Sequence, residues 1–191
     1  MNFDKPFKDY HENIKLTTSK KNSLRSNKEA LRNKIKKAFM DNKRTPTPNF
    51  FIQGSFSMYT TINPLTKQYD SDDGLYLQHL DTSKPISEWP IPATVHRWVM
   101  DAIDRHTDTP PEDKPQCVRV IYANEEKHVD IPIYAKKGET YYLATKNLGW
   151  IESDPKTIKD WFNKATAAKG EQLRRIACYL KGWKDFREDE N

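Results

Sequence analysis

Apolar side chains recur every three or four residues near the start of the chain, which predicts a long helix over about residues 16–42. The apolar stripe of this helix consists of Leu24, Leu31, Ile35 and Phe39. Ser26 and Glu29 have the spacing of a capping box inside the helix or at its start. Most of the other positions are polar and many are lysine, so the helix is predicted to be basic, with lysines that face solvent or phosphate groups.

The middle of the chain changes to short apolar runs, which are typical of strands. The first run, residues 49–53, ends at the turn residues Gly54 and Ser55. Later runs read YDSDDGLYL, QCVRVIYA, KHVDIPIYA and TYYLATK, and the last three predict a hairpin or meander. A helix is predicted from about Ala93 to Arg105, between the runs YDSDDGLYL and QCVRVIYA, with His96 and Arg97 on its surface.

Two further helices are predicted at the end of the chain. Asp154 and Pro155 have the pattern of a capping residue followed by proline at the first helical position, and this helix should stop near Gly170. The last helix should start at about Glu171. Its apolar stripe consists of Leu173, Ile176, Ala177, Leu180 and Trp183. A stripe of this kind needs a packing partner elsewhere.

Composition indicates a folded, basic domain. Of the 191 residues, 36% are hydrophobic and the mean hydropathy is −0.94, but the 12% of aromatic residues argues against disorder. The net charge of +5 favours an anionic partner without distinguishing a nucleotide, a nucleic acid or a lipid. Nucleic acid is thus a possible but not a required partner.

Cysteine content and hydropathy point to a cytoplasmic protein. Cys117 and Cys178 are far apart and lie in apolar patterns, so they indicate neither a disulfide framework nor a metal site. The first residues contain no apolar core of a signal peptide, and no apolar stretch approaches 18 residues. We therefore expect a protein without a membrane segment.

Acidic residues crowd the second predicted strand. A period of two places Asp70 and Asp72 on one face, with α-carbons about 6.5–7 Å apart, and turns Asp73 to the other face, where we expect a structural turn or hairpin residue. Asp130 lies between Val129 and Ile131 and should point away from the face that they bury. Three such carboxylates favour the binding of Mg²⁺ or Mn²⁺. Two alternative interpretations are a surface turn for the acidic run and a strand cap for Asp130.

Gly54 and Ser55 add a candidate phosphate site, because turn N–H groups and a serine hydroxyl can donate to phosphate oxygens. A tight turn at Asn124 would place Arg119 opposite Asp130 across a hairpin. Arg119 could then contact a bound phosphate or form a structural ion pair with Asp130. The residues leave both roles open.

Five segments together resemble the cGAS/DncV-like nucleotidyltransferases, the bacterial cyclic-oligonucleotide synthases of the polymerase β superfamily. These segments are QGSFSMYTTI, DSDDGLYL, HVDIPIYA, WIESDP and YLKGWKDF. The resemblance implies an α+β fold with a polymerase β-like core, in which a mixed or antiparallel sheet packs with helices behind a long N-terminal helix. It divides the chain into a basic helical segment (1–45), a catalytic sheet (46–152) and helices that lead into a truncated C-terminal lobe (153–191).

The same resemblance implies two-metal chemistry on nucleoside triphosphates. Asp70, Asp72 and Asp130 would be catalytic and would hold Mg²⁺ or Mn²⁺ while a 2′- or 3′-hydroxyl attacks an α-phosphate. Nucleotide binding would fall to Gln53, Gly54, Ser55, Arg119 and Lys181. Three other basic residues compete with Lys181 for this role, namely Arg174, Arg175 and Lys184.

The product implied by the resemblance is a cyclic di- or oligonucleotide second messenger that activates a separate effector in CBASS-type antiviral defence. The chain departs from the family pattern at Tyr59, where many members have glycine, and by ending where a helical lobe normally begins. Two alternatives therefore accompany this hypothesis. One is an inactive nucleotide- or nucleic-acid-binding module, and the other is an enzyme that transfers a nucleotide to a protein or RNA end.

Overall fold

The computed structural model describes residues 4–65 and 69–189, which form an α+β fold of helices packed on a mixed sheet. The helices are α1 (Asp4–Ile14), α2 (Thr18–Asp41), α3 (Gly54–Ser57), α4 (Pro92–Ile103), α5 (Pro155–Lys169) and α6 (Gln172–Asp189). The strands are β1 (Asn49–Gln53), β2 (Tyr69–Tyr76), β3 (Glu112–Asp113), β4 (Val118–Tyr122), β5 (Lys127–Ile131), β6 (Ile133–Lys137), β7 (Thr140–Thr145) and β8 (Gly149–Glu152). The predicted fold class is confirmed.

Strand β2 is at the centre of the sheet, whose order is β3-β4-β5-β2-β6-β7-β8. Strand β1 pairs antiparallel with one edge of β2, while β5 and β6 both pair parallel with its other edge. The run KHVDIPIYA therefore forms two consecutive strands. Pro132, which lacks an N–H group, separates them. The predicted hairpin of β4 and β5 is present, with Arg119 opposite Asp130.

The main core lies on the face of the sheet that α2 and α4 cover. It contains the predicted stripe of α2, Val95 and Val99 of α4, and the aliphatic residues of β4 and β5 that point to this face. Ser71 and Asp73 of β2 also point to this side, where they contact α2. By alternation, Asp70 and Asp72 point to the opposite face, so the acidic residues are divided between the two faces of the sheet.

Helix α2 begins earlier than its supposed capping box. The Thr17 side chain accepts a hydrogen bond from the Lys20 N–H and caps the helix. Of the two predicted positions for the pair Ser26 and Glu29, the one inside the helix is observed, and the one at its start is wrong. A further helix, α1, precedes it and was not predicted. Lys28 also departs from the expected exposed basic surface, because it is buried against the sheet.

Asp73 is a strand residue inside β2 rather than a turn residue. It is buried, and its two oxygens accept hydrogen bonds from Arg32 Nε at 2.8 Å and from a terminal Arg32 nitrogen at 2.6 Å. Paired hydrogen bonds between a guanidinium and a carboxylate are among the stronger polar contacts in proteins. Arg32 and Asp73 therefore join α2 to the central strand.

Removal of the Arg32 guanidinium should destabilise the fold. Arg32→Met would leave the Asp73 carboxylate buried without its bidentate partner, and we expect a loss of about 2–4 kcal/mol in the free energy of unfolding. Urea denaturation would measure this loss. Lys36→Met is the control, because Lys36 is exposed on the same helix. Equal stability of the two variants would contradict the structural role of the pair.

His96 is buried, and the prediction that it lies on the surface of its helix is wrong. Its Nδ1 lies 2.7 Å from Asp113 Oδ1, and its Nε2 lies 3.2 Å from the Ala144 carbonyl oxygen. The imidazole thereby links α4 to β3 and β7. Its neighbour Arg97 is exposed, as predicted.

The two C-terminal helices follow the predicted pattern. Asp154 caps α5 by accepting hydrogen bonds from the Lys156 and Thr157 N–H groups. The apolar stripe of α6 remains partly exposed, and with α1 it lines an open cavity of about 680 Å³. Within the described ranges, none of the helices has the length and apolarity that crossing a membrane requires.

Candidate active site

The turn after β1 is held against the acidic strand. Gly54 has a φ of +61°, in the left-handed region that favours glycine, and a Cβ atom added there would lie 1.9 Å from Asp72 Oδ2. Only a residue without a side chain can bring this backbone so close to the carboxylate. The next residue, Ser55, has its Oγ 2.9 Å from Thr61 Oγ1. The predicted strand-to-turn transition is therefore located beside the acids.

Asp70, Asp72 and Asp130 lie on neighbouring parallel strands. In the register of β2 and β5, Asp72 is opposite Asp130 and Asp70 is opposite His128. Burial and, to a lesser extent, the negative charges of Asp70 and Asp130 raise the pKa of Asp72 to about 7, against the opposing effect of Lys181 and Lys28. The carboxylates are thus close enough to disfavour one another's charge.

Asp130 is engaged by the side chain opposite it on β4. Arg119 donates from Nε to Asp130 Oδ1 at 2.7 Å and from a terminal nitrogen to Oδ2 at 2.8 Å. Of the two roles that the residues left open for Arg119, the ion pair is the one observed. The guanidinium neutralises Asp130 and holds both of its oxygens.

The donor chemistry of this site suits a hard divalent cation. Carboxylate oxygens are the preferred ligands of Mg²⁺ and Mn²⁺, and a cation would relieve the repulsion that raises the pKa of Asp72. Over residues 4–65 and 69–189, however, no group of three or more His, Cys, Asp or Glu side chains is arranged to hold a metal ion. The metal role of the three acids stays a prediction.

A cleft of about 410 Å³ brings several predicted residues together. Ser55, Asp70, Arg119 and Lys181 all line it, although they come from four separate elements. Lys184 lines it as well, whereas Arg174 donates to the Met58 carbonyl oxygen and Arg175 donates to Gln172. Of the four basic candidates on α6, two therefore face this cleft.

Gln53 makes a different contact from the one predicted. Its buried side-chain amide donates to the Tyr134 hydroxyl at 3.0 Å, and its Oε1 has no hydrogen-bond partner among the described residues. A Cβ atom at Gly74 would lie 2.5 Å from that oxygen. The Gln53 side chain thus packs over Gly74 and does not line the cleft, and its predicted role in nucleotide binding remains untested.

Sequence reasoning missed two polar residues near the acids. His128 lines the cleft, and its Nε2 lies 3.9 Å from Asp130 Oδ2. Burial lowers the pKa of His128, although the Asp130 charge opposes this effect. The alternation of β5, which puts His128 on the same face as Asp130, could have identified it. Lys28, which sits behind β2, had no such signal because it is one lysine among many in a basic helix.

The chain is similar to known proteins of one family. Residues 48–134 match the family model described as the nucleotidyltransferase domain of cyclic GMP-AMP synthase DncV-like proteins. The chain is 26% identical over 190 residues to a cyclic GMP-AMP synthase of Vibrio cholerae and 29% identical over 169 residues to one of Escherichia albertii. These alignments cover 75% and 86% of the chain.

The fold also matches solved structures. A mutant of the Vibrio cholerae di-nucleotide cyclase DncV, in complex with ATP, GTP and 5MTHFGLU2, superposes with a TM-score of 0.80 at 20% identity. The match covers 96% of this chain and 68% of that one. The chain spans only 44% and 36% of the two curated relatives, which is less than half of either protein.

Proposed function

Since residues 48–134 match the family model of the DncV-like nucleotidyltransferase domain, we propose that this chain is the catalytic part of an enzyme that joins nucleoside triphosphates into a cyclic di- or oligonucleotide. The observation that carries the proposal is the contact between the Gly54 turn and the Asp72 carboxylate, with Asp130 opposite Asp72 in the sheet. The turn that we propose to bind phosphate therefore lies beside the acids. ATP and GTP are the substrates to test first, because a related structure contains both.

The three acids have a defined part in this proposal. Asp70, Asp72 and Asp130 would hold Mg²⁺ or Mn²⁺. Such ions, when bound, activate an attacking hydroxyl and stabilise the charge on the leaving oxygen. Arg119 holds Asp130 in one orientation through two hydrogen bonds and limits the negative charge of the site.

The Gly54–Ser55 turn and the basic residues of the cleft would bind the triphosphate. The N–H groups of the Gly54–Ser55 turn and the Ser55 hydroxyl are donors of the kind that phosphate oxygens accept. Lys181 adds positive charge from α6, and its effect on the pKa of Asp72 indicates that it is near the acids. Positioning and electrostatic stabilisation would supply most of the rate acceleration.

The direct test is product formation by wild type and Asp70→Ala. Purified protein with ATP, GTP and Mg²⁺ or Mn²⁺ should yield a phosphatase-resistant nucleotide, and Asp70→Ala should reduce the yield at least about a hundredfold because a metal ligand is lost. Asp101→Ala is the matched control, because Asp101 is exposed on α4. Chromatography and mass spectrometry would identify the product.

The assay needs a second protein, because the chain spans less than half of its curated relatives. We would join this chain to the C-terminal part of the Vibrio cholerae relative and repeat the comparison. If the chimera binds ATP or GTP but forms no cyclic nucleotide, the synthesis of a cyclic nucleotide is excluded for this chain. Label that appears on a protein or an RNA end would instead indicate transfer to a macromolecule.

A binding module without catalysis is the second candidate. The ion pair of Arg119 favours it, because Arg119 donates to both oxygens of Asp130. If Asp130 keeps this partner, only Asp70 and Asp72 of the three predicted metal ligands can bind a metal ion. Calorimetry would then record nucleotide binding without turnover in both the chain and the chimera. A net charge of +5 also makes nucleic acid a ligand to include.

The biological role proposed with the enzyme is CBASS-type antiviral signalling in the cytoplasm, with a separate effector that responds to the product. It rests on the family resemblance. The test is protection of a bacterial host from phage by the gene and its neighbours. Loss of protection in the Asp70→Ala strain is the expected result, and equal protection by both strains would contradict the role.

A further inference from the structure

Lys28 contacts two segments of the candidate site from the face of the sheet that α2 covers. It is 2% exposed, and its Nζ donates to Ser71 Oγ at 2.9 Å. Ser71 is the residue between Asp70 and Asp72 in β2. The same Nζ lies 3.8 Å from the centroid of the Phe56 ring, and Phe56 belongs to α3, the helical turn that begins with Gly54 and Ser55. A single ammonium group therefore contacts both the turn that begins at Gly54 and the acidic strand.

The contacts of Lys28 with Ser71 and with the Phe56 ring can hold the turn and the strand in a fixed relative position. A cation at this distance from an aromatic ring is attracted to the ring face, most strongly where water is excluded. The hydrogen bond to Ser71 is equally buried. Because α3 is only four residues long, Phe56 is also its main apolar anchor to the core. A shift of the ammonium would move the turn and the strand relative to one another.

Stability of the fold alone does not account for a lysine here. Burial lowers the pKa of Lys28 from 10.5 to about 8, although the charges of Asp73 and Asp72 oppose this effect. The native fold thus disfavours the charged form relative to the unfolded chain. A methionine would fill similar space without this penalty. Buried residues that lower the stability of a fold are often functional.

We propose that Lys28 is a positioning residue for nucleotide binding, which sets the distance between the Gly54–Ser55 turn and the Asp70 and Asp72 carboxylates through Phe56 and Ser71. The expected effect on the binding of a nucleoside triphosphate rests on the proposed function. Lys28 itself does not touch the nucleotide, because it lies on the opposite side of β2 from the two carboxylates.

The first test uses the full chain without nucleotide. Hydrogen exchange at residues 54–57 should be at least about fivefold faster in Lys28→Met than in wild type, because the Phe56 ring of the turn loses its contact with the ammonium group. The melting temperature should be unchanged or higher, because a buried charge is removed. Lys36→Met is the matched control, since Lys36 is on the same helix with its Nζ 5.8 Å from the Phe50 ring, away from the turn. Equal exchange in wild type and Lys28→Met would overturn the proposal.

The second test measures nucleotide affinity by calorimetry with ATP and Mg²⁺. We expect about tenfold weaker binding by Lys28→Met, recovery in Lys28→Arg, which keeps the cation, and no change in Lys36→Met. Phe56→Leu should weaken binding to a similar extent, and the double variant should bind no more weakly than either single variant. Additive losses would overturn the coupling between the two residues.

The two tests separate this inference from the proposed function. If the exchange of residues 54–57 responds to Lys28→Met while wild type does not bind ATP or GTP, the positioning is supported and nucleotide binding fails. If wild type binds and the exchange and affinity of Lys28→Met match wild type, the inference fails and the proposed function stands. A melting temperature that falls below that of Lys36→Met by more than about 5 °C would make Lys28 a structural residue and overturn its role in positioning.

Discussion

Asp72→Asn should make the protein more stable and at the same time abolish nucleotidyl transfer. The carboxyl group of Asp72 has its pKa raised to about 7 by burial and by the charges of Asp70 and Asp130. At neutral pH and above, the native protein therefore holds a charge that its surroundings disfavour. Asparagine has a similar shape without the charge, so we expect a gain of about 1–3 kcal/mol in the free energy of unfolding.

The pH dependence of this gain follows from the direction of the shift. Between the ordinary value of 3.8 and about 7, native Asp72 retains a proton that the unfolded chain has released. The stability that this proton confers is present at low pH and is lost as the pH rises through 7. Thermal melts at pH 5 and pH 8 would check this, because the advantage of Asp72→Asn should be small at pH 5 and larger at pH 8.

Asp101→Asn is the control for both measurements, because Asp101 is exposed on α4 and should show no such pH dependence. Addition of Mg²⁺ or Mn²⁺ should raise the melting temperature of wild type more than that of Asp72→Asn, since the variant lacks a proposed ligand. A lower melting temperature for Asp72→Asn at pH 8 would contradict the idea that the carboxylates repel one another. Retained product formation would contradict the catalytic role of Asp72.

Gly54→Ala is the second change with a large expected effect. The added methyl group would lie 1.9 Å from Asp72 Oδ2, and alanine would have to adopt a φ of +61°. The turn or the carboxylate must then move, so we expect ATP affinity to fall by at least about a hundredfold and stability to fall by about 2–4 kcal/mol. Calorimetry and urea denaturation would measure the two effects.

Gly138→Ala separates the steric clash from the backbone strain. Gly138 has a φ of +57° in the turn between β6 and β7, and nothing lies within 4 Å of a Cβ atom added there. The free energy of unfolding of this variant should fall by about 1 kcal/mol from backbone strain alone, and the variant should bind ATP as wild type does. If Gly54→Ala and Gly138→Ala are equally stable, the close approach of the turn to Asp72 has no energetic importance.

Several features of the site follow from local sequence because they depend only on backbone periodicity. A strand has a period of two, so Asp70 and Asp72 share a face and Asp73 does not, whatever the rest of the fold contains. The hairpin of β4 and β5 is likewise local, and it put Arg119 opposite Asp130 as predicted. The cap at Asp154 depends on three consecutive residues and was also predictable.

Contacts between distant segments were decided only by the tertiary structure. The prediction that Asp73 is a turn or hairpin residue was wrong because the partner of Asp73, Arg32, lies 41 positions earlier in the chain. His96 was predicted to be exposed, since nothing in its helix indicates that β3 and β7 supply acceptors for both ring nitrogens. In each case a polar residue is buried because its partner comes from another element.

The candidate site shows the same division. The sequence by itself determined which acids share a face and that a glycine–serine turn follows β1, because residues within one strand or one turn interact through a short stretch of backbone. Only the tertiary structure decided that this turn lies against Asp72 and that Lys181 of α6 reaches the cleft. It also decided that Lys28 contacts both the turn and the acidic strand. These contacts depend on how α2, α6 and the sheet pack, and packing is set by the burial of apolar surface across the whole chain.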